Sequence, residues 1–225
     1  MIPNPRLNIW ESSSSLKKLC EARAFGREPE MDAAGQAADI VKDLNLPPKS
    51  VILDVGCGAG HFIHSLARRG LDLDYRGLDH SPSYVEIGKK AYAELGLDPE
   101  RLFRESVDDL EGFRADLVLF VNVLSFNPDF RRPLFRASET GAAYLVIRDN
   151  FSDKTTVRWE PDGFLDEGKN HLMGYWNEWS RTEMTDFLSS LGYSGFTFVT
   201  DRRTGGLPET VVGKPYRWEF LLAER

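Results

Sequence analysis

The sequence predicts an α/β protein with a doubly wound, mostly parallel sheet. Residues 51–60, VILDVGCGAG, combine a short apolar strand with a glycine-rich turn. Further strands then alternate with helical segments along the 225 residues, which is typical of a parallel sheet. A second strand, 75–79, ends in an acid about 20 residues after the turn, where such folds place a ribose-binding carboxylate.

The glycine turn predicts a cofactor site. Gly56, Gly58 and Gly60 precede a helical pattern of apolar residues, so the turn leads into a helix N-terminus. Glycine lacks a Cβ, which lets the backbone approach a ligand or adopt a positive φ. The dinucleotide fingerprint is G-x-G-x-x-G, and the shorter spacing here argues against a nicotinamide cofactor. An ordinary strand-to-helix turn in another doubly wound fold is the alternative interpretation.

The run from Asp54 to Gly60, D-x-G-x-G-x-G, resembles motif I of the class I S-adenosylmethionine (SAM)-dependent methyltransferases. The resemblance implies a Rossmann-like sheet of seven strands, with the last strand antiparallel and placed between the fifth and sixth. It implies SAM as the cofactor and methyl transfer by in-line displacement. It also implies that Asp54 helps to hold the ammonium end of SAM and that Gly56 is a backbone contact.

Two further segments fit this resemblance with departures. Asp79 is the predicted ribose ligand, although an acid here can also cap the helix that begins at Ser81-Pro82. His80 is expected near the adenine edge. Ser106 stands where the family often has an acid that binds the adenine amino group, and Val107 offers a backbone N–H to the ring.

Asn122 ends the predicted fourth strand, 117–121, in a segment similar to the family's N-V-L-H-H. Ser125-Phe126 replaces the usual histidine pair. The resemblance places Asn122 beside the transferable methyl group, because ligands of open α/β sheets bind at the carboxyl ends of the strands. A structural asparagine that closes the strand is the alternative.

Residues 148–179 are longer than the loop such a fold needs, so they predict a substrate-loop insertion. Tyr175, Trp176 and Trp179 can wall an apolar or aromatic substrate or simply pack the loop onto the sheet. Arg148 can pair with a substrate carboxylate, with Asp149 or with another loop acid. A general base is needed only if the acceptor is protonated, and His171 and Asp149 are the candidates.

The remaining patterns predict an N-terminal helical cap or lid over residues 1–48 and a SAM-binding domain over 49–225. Apolar periodicity predicts helices over 11–45, 82–95 and 127–135, and a capping box at Ser180 predicts another. Residues 142–147 are the predicted fifth strand. The last two strands are expected near 196–199 and 217–222.

Composition limits the function. The chain is 41% hydrophobic and 28% charged, as in globular proteins, and its net charge of −7 disfavours nucleic acid as a substrate. Two cysteines give no disulfide framework or zinc spacing, so no metal is expected. No signal-peptide core or membrane-length apolar run occurs, which predicts a cytoplasmic protein without membrane contact.

The sequence therefore predicts a methyltransferase that acts on a small-molecule acceptor. The alternatives are a nicotinamide-dependent oxidoreductase and a non-catalytic SAM-binding or partner-binding module. Oligomeric state and the choice among O-, N- and C-methylation stay open.

Overall fold

A computed structural model describes residues 8–163, 165–169, 171–211 and 214–225. The strands, in chain order, are β1 (Val51–Val55), β2 (Asp74–Asp79), β3 (Leu102–Arg104), β4 (Leu117–Val121), β5 (Tyr144–Ser152), β6 (Trp159–Pro161), β7 (Met173–Tyr175), β8 (Trp179–Ser180), β9 (Gly195–Thr200), β10 (Glu209–Val211), β11 (Lys214–Tyr216) and β12 (Trp218–Glu224). The α-helices are α1 (Ser14–Ala24), α2 (Asp32–Asp43), α3 (Phe62–Arg68), α4 (Pro82–Glu94), α5 (Arg131–Glu139) and α6 (Arg181–Ser190). Short 3-10 helices cover Ile9–Ser12, Pro99–Arg101 and Leu124–Phe126.

The central sheet has the order β3-β2-β1-β4-β5-β12-β9, with β8 paired to the far end of β5. The first five strands are parallel, and β12 runs antiparallel to both of its neighbours. The predicted α/β class is confirmed, including the last strand between the fifth strand and the strand after α6.

The sheet is covered on both faces. Along β1, Leu53 and Val55 point into one apolar cluster, and Ile52 points into the other. Helices α5 and α6 cover the first face, whereas α2, α3 and α4 cover the second. This alternation explains why β1 reads as a continuous apolar run apart from Asp54.

Three predicted boundaries change. The helical stretch 11–45 is two helices, because the chain leaves α1 at Gly26 with φ +66° and passes Pro29 before α2. The helix expected from residue 127 begins at Arg131, because Asn127 is extended and donates its side-chain amide to the Val123 carbonyl. Strand β5 runs past residue 147, since β12 pairs with it as far as Asn150.

The N-terminal part packs onto the rest of the molecule. Helix α1 lies on α4, while α2 contributes Ala34, Ala37 and Val41 to the core. The division at residue 48 stays a prediction, and residues 1–7 of the predicted cap lie outside the described residues. Over the part of the chain that is described, no helix has the length and apolar character needed to cross a membrane.

Candidate functional site

The glycine turn after β1 is closed on two sides and open at its centre. Gly56, Gly58 and Gly60 have φ values of +78°, +59° and +73°. A Cβ at Gly56 would stand 2.5 Å from Val123 Cγ2, and one at Gly60 would stand 2.7 Å from Leu102 Cδ2. A Cβ at Gly58 would meet no atom within 4 Å. The turn therefore leaves space for a ligand only at Gly58.

Asp79 ties the end of β2 to this open point. Its Oδ2 accepts the Gly58 N–H at 2.9 Å, and its Oδ1 accepts the Ser81 N–H at 2.8 Å. Burial raises the pKa of Asp79, which is opposed by these N–H groups and by the neighbouring His80. Each carboxylate oxygen keeps a lone pair for a ligand hydroxyl. His80 itself is exposed, with Nδ1 3.8 Å from Asp79 Oδ1.

Asp54 is buried and paired with Tyr75, whose hydroxyl donates to Asp54 Oδ2 at 2.8 Å. Burial raises the pKa of Asp54 to about 7, against the lowering effect of the Tyr75 hydroxyl. With 5% of its surface exposed, the carboxyl has little open surface for direct contact with a ligand. Its predicted role at the ammonium end stays a prediction.

The predicted adenine segment is an exposed turn after β3. Ser106 Oγ accepts the Asp108 N–H at 3.3 Å, and the Ser106 carbonyl accepts the Asp109 N–H at 2.9 Å. Val107 is half-buried against the main core. The adenine roles of Ser106 and Val107 stay predictions.

Asn122 links the glycine turn to a neighbouring cavity. It is left-handed, with φ +58°, a conformation that asparagine tolerates better than most residues. Its N–H donates to the Arg148 carbonyl at 2.8 Å, and its side-chain oxygen accepts the Arg148 guanidinium. Asn122 lines the cavity, while the adjacent Val123 packs against Gly56.

The cavity measures about 420 Å³, and four of its thirteen lining residues are aromatic. Its rings belong to Trp10, Phe126, Trp176 and Trp218. The Phe126 ring centroid lies 5.3 Å from that of Trp10 and 5.0 Å from that of Trp176, both edge-to-face. The other lining residues are Leu16, Arg23, Met31, Asp32, Ala33, Asn122, Arg148, Arg203 and Glu209.

Arg148 is already paired, so the prediction that it binds a substrate carboxylate is not supported. The Nε of its guanidinium donates to Asp201 Oδ2 at 2.8 Å, and its Nη2 lies 2.7 Å from the same oxygen. The same group lies over the Trp218 ring, 4.7 Å from the centroid. The partner acid lies 53 residues away in sequence, just after β9, rather than at Asp149 or in the nearby loop.

Neither predicted general base lies at the cavity. Asp149 is fully buried and accepts the N–H groups of Ser125 at 3.1 Å and Asn150 at 2.8 Å, together with the Ser125 hydroxyl. Burial raises its pKa to about 7. His171 is exposed in the connection between β6 and β7. Asp149 therefore holds the loop after β4, and neither residue lines the cavity.

Of the three predicted aromatic wall residues, only Trp176 lines the cavity. Trp179 is 1% exposed in the core, where its ring packs 5.1 Å from that of Phe130. Tyr175 packs on Trp159 across the β6–β7 hairpin, at 4.6 Å between centroids. The packing alternative is therefore right for Trp179, since strand β8 joins the sheet beside β5 and turns the indole inward.

The polar end of β5 anchors the cavity walls one by one. Arg148 binds Asn122 and stacks on Trp218, and Asp149 binds Ser125 beside Phe126. Asn150 accepts the N–H of Arg217, next to Trp218, at 2.9 Å. It also donates to the carbonyl of Asn177, next to Trp176, at 3.3 Å.

The N-terminal segment closes the cavity with Trp10. The Glu11 carboxylate accepts the N–H of Ser83 at 3.0 Å and the hydroxyl of Ser83 at 2.6 Å. Ser83 lies four residues after Asp79. On the other side, Asp166 of the insertion accepts the Ser14 N–H at 2.6 Å and the Ser13 hydroxyl at 3.0 Å. This segment, Ile9–Ser12 with the start of α1, is called the strap below.

Trp10 lies within the cap or lid predicted over residues 1–48, whereas Phe126 and Trp218 were not predicted as wall residues. Phe126 follows β4 in the 3-10 helix Leu124–Phe126, and Trp218 opens β12. The carboxyl end of a parallel strand is the signal that points to Phe126. No cluster of three or more histidine, cysteine or acidic groups suited to a metal ion occurs among the described side chains.

Comparison with known proteins adds a family to this geometry. Residues 53–139 match a family model described as "Methyltransferase domain". The carboxy-S-adenosyl-L-methionine synthase of Campylobacter jejuni is 27% identical over 161 residues, which are 70% of this chain and 60% of that protein. The chain thus spans about three fifths of the length of this curated relative.

Solved structures share the fold. A SAM-dependent methyltransferase from Clostridium acetobutylicum superposes with a TM-score of 0.62 at 13% identity, covering 90% of this chain and 95% of that one. The 1,6-didemethyltoxoflavin-N1-methyltransferase of Burkholderia thailandensis, solved with 1,6-didemethyltoxoflavin and S-adenosylhomocysteine, has a TM-score of 0.57 at 18% identity. It covers 100% of this chain and 93% of that one.

Proposed function

Because this chain belongs to the class I S-adenosylmethionine-dependent methyltransferases, enzymes whose cofactor is SAM, we propose that it methylates a small-molecule acceptor held in the aromatic cavity. One observation carries this proposal. Asn122 lines the cavity, and the next residue, Val123, packs on Gly56 of the glycine turn. The cavity therefore lies beside the turn whose open point is Gly58.

The residues around the turn fit a ligand with the chemistry of SAM. Gly58 leaves open space, and Asp79 beside it can accept hydroxyl groups of a ribose. Arg23 lines the cavity and also a small crevice with His61, the residue that follows Gly60. No ion pair is observed for Arg23 among the described side chains, so its guanidinium can meet a carboxylate there.

The reaction needs placement more than proton transfer. When bound, the cofactor supplies a methyl group on a positively charged sulfur, and transfer to an acceptor lone pair forms the new bond as the carbon–sulfur bond breaks with its electrons left on sulfur. Asn122 and the cavity walls would hold the acceptor beside the glycine turn. Trp10 on the strap would exclude water from the cavity.

Binding tests the cofactor half of this proposal. Calorimetry with SAM, S-adenosylhomocysteine (SAH) and NAD should show heat of binding for the first two and none for NAD. Binding of NAD alone would instead support the oxidoreductase alternative.

Turnover tests the acceptor half. The protein is incubated with SAM and a pool of small metabolites, and mass spectrometry follows metabolites that gain the mass of one methyl group. SAH release without any methylated metabolite would overturn a small-molecule acceptor. A mass gain on SAM itself would indicate the activity named for the Campylobacter relative, and SAM binding without any product would indicate a binding module.

A further inference from the structure

We propose that the acceptor is a planar aromatic molecule that reacts through a lone pair already free of a proton, such as a ring nitrogen or an ionised ring hydroxyl. This inference rests on the proposed function and names the class of substrate for that same site. It depends on three features of the cavity: its rings, the pairing of its charges and the absence of a histidine from its described lining residues.

The rings form a preorganised aromatic wall. Trp10, Phe126 and Trp176 are held edge-to-face at 5.3 and 5.0 Å, and Trp176 packs on Tyr216 at 5.9 Å. Because each ring is fixed by its neighbour, little side-chain freedom is lost when a ligand ring joins them. An added aromatic contact of this kind is worth about two- to tenfold in affinity beyond the burial of area.

Most charges in the wall are paired within the protein. Arg148 is bound by Asp201, and Arg203 is bound by Glu209, which also accepts the Trp218 indole N–H at 3.1 Å. These pairs leave less net charge to attract a highly charged acceptor. A mostly apolar ring with a few polar atoms fits such a wall better than a sugar or a polyamine does.

Among the described lining residues there is no histidine, and the two carboxylates, Asp32 and Glu209, are weak bases. Glu209 is held by Arg203, whose guanidinium lowers the pKa of the Glu209 carboxyl, and Asp32 is exposed at the start of α2. Asp149 is fully buried and accepts a hydrogen bond from the Ser125 hydroxyl, so its carboxyl does not reach the cavity. An acceptor with a basic ring nitrogen or an acidic ring hydroxyl needs no base at neutral pH, and an aliphatic alcohol does.

Matched probes test the preference for a ring. The protein is saturated with SAH, and the affinities of 2-naphthol and decahydro-2-naphthol are measured by ligand-observed NMR. These probes share size and hydroxyl and differ in aromaticity. The aromatic probe should bind about tenfold more tightly.

Phe126→Leu removes the central ring of the wall and should reduce that ratio to about threefold or less. Trp10→Leu makes the same test from the strap if Phe126→Leu does not fold. The control is Trp159→Leu, which removes an indole that packs on Tyr175 outside the cavity and should keep the ratio of the unmodified protein.

The outcomes separate the two proposals. Equal affinity for the two probes, or a ratio unchanged in both Phe126→Leu and Trp10→Leu, would overturn the aromatic acceptor while leaving SAH binding intact. Absence of SAH binding in the unmodified protein would overturn the proposed function itself. Faster methyl transfer to an aliphatic alcohol than to quinoline would overturn the inference that no base is used.

Discussion

Gly58 and Gly96 offer a matched pair of substitutions that separates ligand binding from backbone strain. Both glycines are left-handed, with φ values of +59° and +71°, and an added Cβ at either one meets no protein atom within 4 Å. Gly96 follows the end of α4, whereas Gly58 lies at the open point of the glycine turn, where we propose that the cofactor binds. Alanine at either position should therefore lower the free energy of unfolding by a similar amount, but only alanine at Gly58 should weaken cofactor binding.

The expected cost in stability can be worked from backbone conformation. A left-handed alanine costs about 1–2 kcal/mol, and the reduced entropy of the unfolded chain offsets about 0.4–1 kcal/mol of that. Gly58→Ala and Gly96→Ala should each lower the free energy of unfolding by about 1 kcal/mol, measured by urea denaturation. Both variants should still fold.

The effect on the cofactor should differ. If SAH occupies the space beside Gly58, the added methyl overfills a packed site at a cost of about 1–3 kcal/mol, or about five- to 150-fold in Kd. Calorimetry should show this loss for Gly58→Ala and unchanged affinity for Gly96→Ala. Unchanged SAH affinity in Gly58→Ala would refute the assignment of the open space to the cofactor.

Three further changes test other parts of the site. Asp79→Ala should weaken SAM binding strongly with the far-UV CD spectrum unchanged, and unmodified affinity would reject the ribose assignment. The pKa of Asp54 is raised in the fold to about 7, so its contribution to stability is present below pH 4 and lost as pH rises through 7. Asp54→Asn, which keeps an oxygen to accept from Tyr75, should remove that part of the pH dependence of the free energy of unfolding, at most about 4 kcal/mol between pH 4 and 8. Urea denaturation of both proteins over this pH range measures it, and identical slopes of the free energy of unfolding against pH would contradict the expectation. Removal of residues 1–30, which ends before α2, should abolish turnover and leave the sheet folded, whereas an unchanged rate would show that the strap is not needed.

The geometry of the glycine turn was predictable because local sequence determines it. The backbone at Gly56, Gly58 and Gly60 must turn sharply between a strand and a helix, and only glycine does so freely. Asp79 follows directly from the end of the next strand. The resemblance supplied the position of β12, which no local pattern indicates.

The acceptor end was less predictable because its contacts join distant segments. In the sequence Arg148 resembles a free cation, whereas in the structure it is paired with Asp201, which follows β9. Asp149 was a candidate base, but the loop after β4 covers its carboxylate. Trp179 was a candidate wall residue, but it lies in the core because β8 joins the sheet. Each of these outcomes depends on tertiary pairing, which one-dimensional spacing does not encode.

The polar end of β5 has a consequence for how this protein can change its chemistry. Asp149 and Asn150 are buried, and they bind residues that stand one position away from wall residues in the sequence. Asp149 binds Ser125, next to Phe126, and Asn150 binds Asn177 and Arg217, next to Trp176 and Trp218. Wall residues can therefore be exchanged while the backbone that presents them stays in place. Libraries that vary Phe126, Trp176 and Trp218 on a constant β5 should yield new acceptor ranges without redesign of the cofactor half.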